Sequence, residues 1–413
     1  MQRVMTIAVV LTLVFSVSAF PAGEQERLPG DIDLWTAEGE ADGGLDVVET
    51  FAEEFEEQNP DVDINVVDHD VEDLREDFQT ASLAGQAPEL LWTVNDHAGP
   101  FTQAGLIQPV QDFYNEDEFI EPLEIGGDYW GVPITSGNHL MLMYNKSLVD
   151  EAPETTDEMI EMSQQVMDEH DGVYGFTYDS VEPFWLVPWL GGFGGEVFAE
   201  DGVTPTLDTP EMVDTLQFLW DLEYEYEIVP ENVDYDTMEA LFSNGEAAFA
   251  VLGDWAIGQM RDALGDDLGI APLPIVSETG ERPAPYTSGQ YFMIAEHVEG
   301  EQLEIILDFI EFVTAEEQQR YITEQTGRLP ARLAVQEDPV VTDDELLQAS
   351  AEQMELGVPM PSVMQMRANW DAMLPEQNAV LTDDKDPAEA AADMQSIAES
   401  AIEEMDPTDP DEW

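Results

Sequence analysis

Cysteine is absent from the 413 residues, and lysine nearly so, with only Lys146 and Lys385 beside nine arginines. Without cysteine there is no disulfide, no thiolate nucleophile and no Cys-ligated zinc, so stability rests on packing and on the solvent. Eleven basic residues against 92 acids leave a net charge of −81. That excludes a nucleic-acid partner, because neutralising phosphates takes clustered cations. The five histidines (His69, His97, His139, His170 and His297) are scattered, with no H-E-x-x-H pair and no G-x-S-x-G elbow anywhere. Gly191-Gly192-Phe193-Gly194-Gly195 lacks the Lys-Ser/Thr that would make it a phosphate loop, and the acids show no EF-hand spacing. No repeat of fixed period is visible, which disfavours an adhesive array.

What is present is material for packed interiors: 43% hydrophobic residues, including 9 Trp and 18 Phe. A single core stops growing at roughly 250 to 300 residues, so the length predicts two lobes. The acids punctuate nearly every segment, as in Glu53-Glu54-Phe55-Glu56-Glu57 and Asp343-Asp344-Glu345, and must coat the whole surface. Such a body repels itself in dilute buffer, but the Debye length falls to about 3 Å at 1 M salt, which points to brine as the natural solvent. The lysine-poor, acid-rich pattern resembles proteins of extreme halophiles.

Arg3 precedes an apolar run from Val4 to Phe20 that contains Val17-Ser18-Ala19 and gives way to Pro21-Ala22-Gly23. This reads as a signal peptide or N-terminal anchor over residues 1–22, which places the body outside the cytoplasm, periplasmic or extracellular. Asp31 to Trp35 and Val62 to Val67 alternate as strands around a helical Val47 to Phe55, followed by a helix from Leu74 to Ala84 and a buried strand from Pro88 to Val94. The opening is therefore α/β with a parallel sheet. Helical spacing returns at Glu211 to Tyr224, Leu303 to Val313 and Glu345 to Met354; strand patterns return at Leu140 to Tyr144, Ala247 to Leu252 and Tyr291 to Ile294. Residues 406–413 read as an acidic tail.

Four motifs stand in register along the body: Ala87-Pro88-Glu89-Leu90-Leu91-Trp92 leading to Asn95-Asp96 and Phe101-Thr102-Gln103-Ala104-Gly105-Leu106-Ile107; Asp128-Tyr129-Trp130-Gly131-Val132-Pro133 running into Tyr144-Asn145-Lys146; Phe242-Ser243-Asn244-Gly245-Glu246-Ala247-Ala248 before Gly253-Asp254-Trp255; and Gly327-Arg328-Leu329-Pro330-Ala331-Arg332. From about Asp31 to Ala401 the chain resembles the maltose-binding-protein-like solute receptors of ABC importers. The resemblance implies two hinged α/β lobes with a ligand cleft: lobe I from 31–136 plus 289–340, lobe II from 137–288 plus 341–405. The crossings would fall near Ser136-Gly137 and Ser288-Gly289, where glycine can absorb a hinge rotation, and near Asp338 to Thr342. On residues alone, ordinary loop glycine explains them equally well.

A neutral oligosaccharide needs aromatic plates for its ring faces and amides or carboxylates for its hydroxyl rim. By the resemblance, stacking falls on Phe184, Trp255 and Trp370, with Tyr235 a fourth, and hydrogen bonding on Asp96, Asn138 and Glu182. An arbitrary tryptophan is more often core than ligand plate. Three departures from the maltodextrin-binding subtype are plain: an amide at Asn138 in place of a carboxylate, Thr93 in place of an aromatic, and Thr36-Ala37-Glu38-Gly39-Glu40 without that subtype's Asp-Lys pair. The resemblance implies a monomeric, cofactor-free receptor that delivers an oligosaccharide to a membrane permease. Two alternatives stay open: the same fold for a solute such as a glycerol phosphate, for which cleft arginines would be diagnostic, and a secreted glycosidase, for which two carboxylates would suffice. His97 and His139 adjoin site positions but read as satisfied structural histidines. Asn145-Lys146-Ser147 is a glycosylation sequon and also part of the structural triplet.

Overall fold

The computed structural model describes residues 30–39, 43–111, 113–115, 117–120 and 122–405. The N-terminal apolar segment and the acidic tail lie outside the described residues. Two hydrophobic cores organise the rest. The first gathers Ile32, Leu34, Phe51, Phe55, Leu74, Phe78, Leu91, Trp92, Val132 and Phe292 with the helices Gly300–Val313 and Glu316–Thr326. The second gathers Leu140, Phe176, Trp185, Trp189, Leu216, Phe242, Phe249 and Leu252 with the helices Gln365–Leu381 and Pro387–Glu404.

Around the first core lies a six-stranded sheet in the order 63–68, 31–36, 90–94, 290–294, 128–133, 123–125. Asp31–Thr36 buries every second residue, as its alternating pattern requires, and pairs in parallel with both Asp63–Asp68 and Leu90–Val94. The sheet is parallel only in these opening strands. Gln290–Ile294 runs antiparallel to both Leu90–Val94 and Asp128–Pro133, because it arrives from the other lobe rather than from a helix crossing the same sheet. Helix Gly44–Gln58 covers this sheet with Val47, Val48, Phe51, Ala52 and Phe55, the spacing of one helical face.

The second sheet has the order 268–271, 140–145, 247–253, 174–177. All seven residues of Ala247–Gly253 are buried, as expected of a central strand covered on both faces. The chain leaves the first core after Asp128–Pro133 and enters the second at Leu140–Asn145; it returns between Leu268–Ala271 and Gln290–Ile294, and crosses again after Glu316–Thr326.

Two of these crossings lie side by side. Gly137 N donates to Ser288 O at 2.9 Å and Ser288 N donates back to Gly137 O at 2.7 Å. Gly137 has φ 135, and a Cβ there would stand 2.1 Å from Asp254 Oδ2, so a side chain is excluded twice over. Thr135–Ser136 pairs antiparallel with Leu329–Pro330, adding a third crossing segment to the same strip. The Asp338 to Thr342 stretch forms a short helix, Pro339–Thr342, capped by Asp338. In the sequon, Asn145 is buried and its Oδ1 accepts from Ser147 N at 2.9 Å and Ser147 Oγ at 2.6 Å; it is a turn former with its amide enclosed.

Candidate ligand cleft

The four aromatic candidates come from four separate segments beside the second core. Asp179 Oδ1 accepts from the backbone N–H of Val181 at 3.0 Å and Glu182 at 3.3 Å, fixing the loop that enters the single turn Pro183–Trp185. Burial pushes the Asp179 carboxyl up to about 6. Trp185 goes into the core, where Nε1 donates to Val251 O at 2.7 Å, while Phe184 stays half-buried. Strand Ala247–Gly253 then ends at a glycine for a definite reason: a Cβ at Gly253 would lie 2.2 Å from the Trp255 ring. Only glycine lets the indole fold back over the strand end. Trp255 Nε1 donates to Tyr235 Oη at 2.9 Å, and Tyr235 opens the helix Tyr235–Ser243.

Trp370, on helix Gln365–Leu381, completes a row. Its ring centroid is 6.3 Å from that of Phe184, which is also 6.3 Å from that of Trp255. All three are partly exposed beside the core, not within it. Phe184 stands between two indoles, so apolar plates run continuously along the second core. Tyr286, not foreseen from the sequence, backs Trp370 edge-on at 6.1 Å.

In the first core, Leu90–Val94 ends in the turn Asn95–His97 and presents Asp96, half-buried. Burial, reinforced by Glu72, raises its carboxyl to about 6, against the pull of Arg75 and Arg367. Glu182 is raised too, by burial, Asp179 and Glu72, and lowered by Arg367. Asp96 and Glu182 thus answer to the same two groups, Glu72 and Arg367, although they belong to different cores. Asn138 stands apart at the crossing, in the left-handed region with φ 45, which asparagine tolerates. Its neighbours Gly137 and His139 both touch Asp254, the residue before Trp255.

The flanking histidines are structural. His97 is buried, hydrogen-bonded through Nδ1 to Thr93 Oγ1 at 2.9 Å, and pushed down to about 3 by burial and by Arg75 and Arg367. Thr93 is buried in that contact and offers the cleft no plate. His139 Nε2 bonds Ser350 O at 2.9 Å.

Sequence reasoning missed the ionic framework. Arg328 and Glu38 form a buried pair at 2.7 Å, and the Trp92 indole donates to Glu38 Oε1 at 3.1 Å and Gln290 Oε1 at 2.8 Å. Beside Glu38 a cavity of about 410 Å³ opens between Ala37-Glu38-Gly39 and the loop Asp68 to Val71. Arg367 went unnoticed because an arginine four residues before an acid on a helix ordinarily means only a surface pair.

The profile of the bacterial extracellular solute-binding proteins matches residues 50–349. The chain belongs to that family. Among solved structures, the maltose/maltodextrin-binding domain of Bdellovibrio bacteriovorus bound to maltotriose is 32% identical, with a TM-score of 0.86 over 90% of this chain and 100% of the other. The maltotriose-binding protein of Pyrococcus abyssi is 29% identical over 87% of this chain and 79% of its own length. A galactooligosaccharide-binding protein of Bacillus subtilis is 24% identical over 90% and 89%. As in such solute-binding proteins, the fold is two-lobed α/β. No described helix is long and apolar enough to cross a membrane.

Proposed function

We infer that this solute-binding protein is the exported receptor of an ABC sugar importer, and that it holds a neutral malto-oligosaccharide or a related oligosaccharide between its lobes and delivers it to the membrane permease. What supports this is the row Trp255, Phe184, Trp370 on one core, with Glu182 beside it feeling the same Glu72 and Arg367 as Asp96 on the other. Sugar rings stack on the plates while Asp96, Glu182 and Asn138 take the hydroxyls, and Tyr235 holds the Trp255 indole in place. The lobes divide as 31–136 plus 289–340 and 137–288 plus 341–405, with the paired Gly137 and Ser288 backbones as the hinge. The maltotriose held by the Bdellovibrio relative supports the ligand class, and the galactooligosaccharide-binding relative widens it.

A phosphate ligand would need an uncompensated guanidinium. The arginines that act on Asp96 are engaged instead: Arg367 with Glu72 and Asp371, Arg75 with Glu72 at 3.4 Å and Glu76 at 3.3 Å. This favours the neutral solute over a glycerol phosphate. We read the protein as a receptor, not a glycosidase, since the relatives carry the names of binding proteins.

The test is a thermal-shift screen in concentrated KCl with maltotriose, a galactooligosaccharide and glycerol 3-phosphate. A ligand at about 100 times its dissociation constant adds about 2.7 kcal/mol, so a sugar should raise the melting temperature and glycerol phosphate should not. The reverse pattern overturns the reading, and hydrolysis products in the incubated sugar would restore the glycosidase.

A further inference from the structure

Cations are so few here that the position of each is informative. Most join elements within one lobe or beside a crossing: Arg261 with Asp344 at 2.8 Å, Lys385 with Glu376 and Asp393, and Arg320 with Asp338 at 2.7 Å where the chain passes between the cores. Arg367 differs. Its helix, Gln365–Leu381, packs in the second core through Met366, Ala372 and Met373, whereas its partner Glu72 stands on helix Val71–Leu83, which packs in the first through Leu74 and Phe78.

The guanidinium is aimed at that partner. Its Nη2 lies 2.7 Å from Asp371 Oδ1 and its Nε donates to Asp371 Oδ2 at 3.2 Å, one turn along the same helix. That two-point contact fixes the plane of the fork and leaves Nη1 to reach across to Glu72 Oε2. The lobes already touch beside it: Asn95 Nδ2 donates to Met360 O at 3.2 Å and Ser362 Oγ at 2.9 Å, and a Cβ on Gly99 would come within 2.6 Å of Ser362 O. Around this contact the first lobe brings Glu72 and Asp96 with Arg75, and the second brings Glu182 and Asp371, with Asp179 behind. Closing the cleft therefore drives carboxylates of both lobes together. A neutral sugar carries no countercharge to relieve them.

We propose that Arg367, held by Asp371 and paired across the rim with Glu72, is a charge clasp that lets two acidic lobes close on an uncharged ligand. It is a positioning residue: it sets the balance between open and closed forms, and that balance sets the apparent affinity. The clasp deepens the reading of a hinged sugar receptor and rests on it for the ligand.

The cysteine-free chain allows a direct test. Spin labels on Glu53→Cys and Asp214→Cys, both exposed and on opposite lobes, report the lobe separation in the full protein with and without maltotriose. With Arg367→Gln the distances should lengthen at about 0.5 M KCl and return toward the parent's at about 3 M, where screening replaces the lost cation. Maltotriose affinity should fall by about tenfold at the lower salt and by much less at the higher. Arg367→Lys keeps the charge and should show a smaller change, and adding Glu72→Gln to Arg367→Gln should open the lobes no further. Unchanged distances and affinity overturn the clasp. So does an affinity loss equal at both salts with unmoved labels, which would make Arg367 a plain ligand contact. If Arg367→Gln does not fold, Glu72→Gln at its exposed position must itself lengthen the distances, or the clasp is wrong. If the parent ignores maltotriose while the labels still respond to Arg367→Gln, the sugar reading fails and the clasp stands.

Discussion

Beside the second core, Trp255, Phe184 and Trp370 stand in a row fixed by packing and by the Tyr235 hydrogen bond, whereas the first core carries Asp96, Glu72 and the buried Glu38–Arg328 pair. The plates need nothing from the solvent: their attraction for a sugar face is dispersion and desolvation, which salt barely weakens. Charges are another matter. Asp96 is held half-buried near Glu72 at the expense of its own ionisation, and its strength depends on screening and on pH. On the proposed reading, one wall would supply affinity that survives brine, and the other orientation and a coupling to lobe closure.

The widest challenge to this division is to remove the salt. At about 0.1 M the Debye length grows to about 10 Å and the surface acids repel one another across both lobes. The protein should then loosen or unfold, losing both walls together. A circular-dichroism melt at low salt that coincides with the melt in brine would show that the acids are not the dominant strain.

Next comes the aromatic wall. Trp255→Ala and Trp370→Ala should each weaken sugar binding by more than about 1 kcal/mol while the fold survives, because each removes a partly exposed plate. The loss, measured by calorimetric titration, should be nearly the same at low and high KCl, in contrast to that of Arg367→Gln. If neither change weakens binding, these rings are not the ligand's plates, and a variant that fails to fold makes its ring part of the core.

The smallest effect sharpens the charged wall. Asp96 has a folded-state value of about 6, above the 3.8 of an unperturbed aspartate. Between these values the folded protein binds the extra proton, so the carboxylate destabilises the fold at neutral pH and that cost fades as pH falls from about 7 to 4. Asp96→Asn should therefore raise the melting temperature at pH 7.5 and change it little at pH 4.5, while weakening sugar binding. Buried His97 shifts in the opposite sense but is common to both proteins, so comparing them isolates Asp96. An equal gain in melting temperature at both pH values would mean that ionisation of Asp96 is not the source.

Much of this molecule follows from local pattern. Alternation placed the strands at Asp31 and Val62, strand-like apolar segments those at Leu140, Ala247 and Tyr291, and 3.6-residue spacing the helices beginning near Glu211, Leu303 and Glu345, because burial of one face or of both leaves its pattern on the residues. The motif Gly253-Asp254-Trp255 was readable as a unit, and its geometry explains why: the glycine makes room for the indole. Local pattern misleads where the chain crosses between lobes, since an antiparallel Gln290–Ile294 in a sheet that opens parallel depends on the route of the whole chain.

Composition and periodicity by themselves determined the acid-coated surface, the two cores and which segments could be strands or helices, all properties of neighbours along the chain. Tertiary packing alone decided that Trp185 is core while Phe184 beside it stays half-buried, that Thr93 serves His97, and that Glu72 meets Arg367 from 295 residues away. Burial and the approach of distant charges depend on how the lobes are stacked, and the energy of a carboxylate changes more with those neighbours than with anything adjacent to it in sequence.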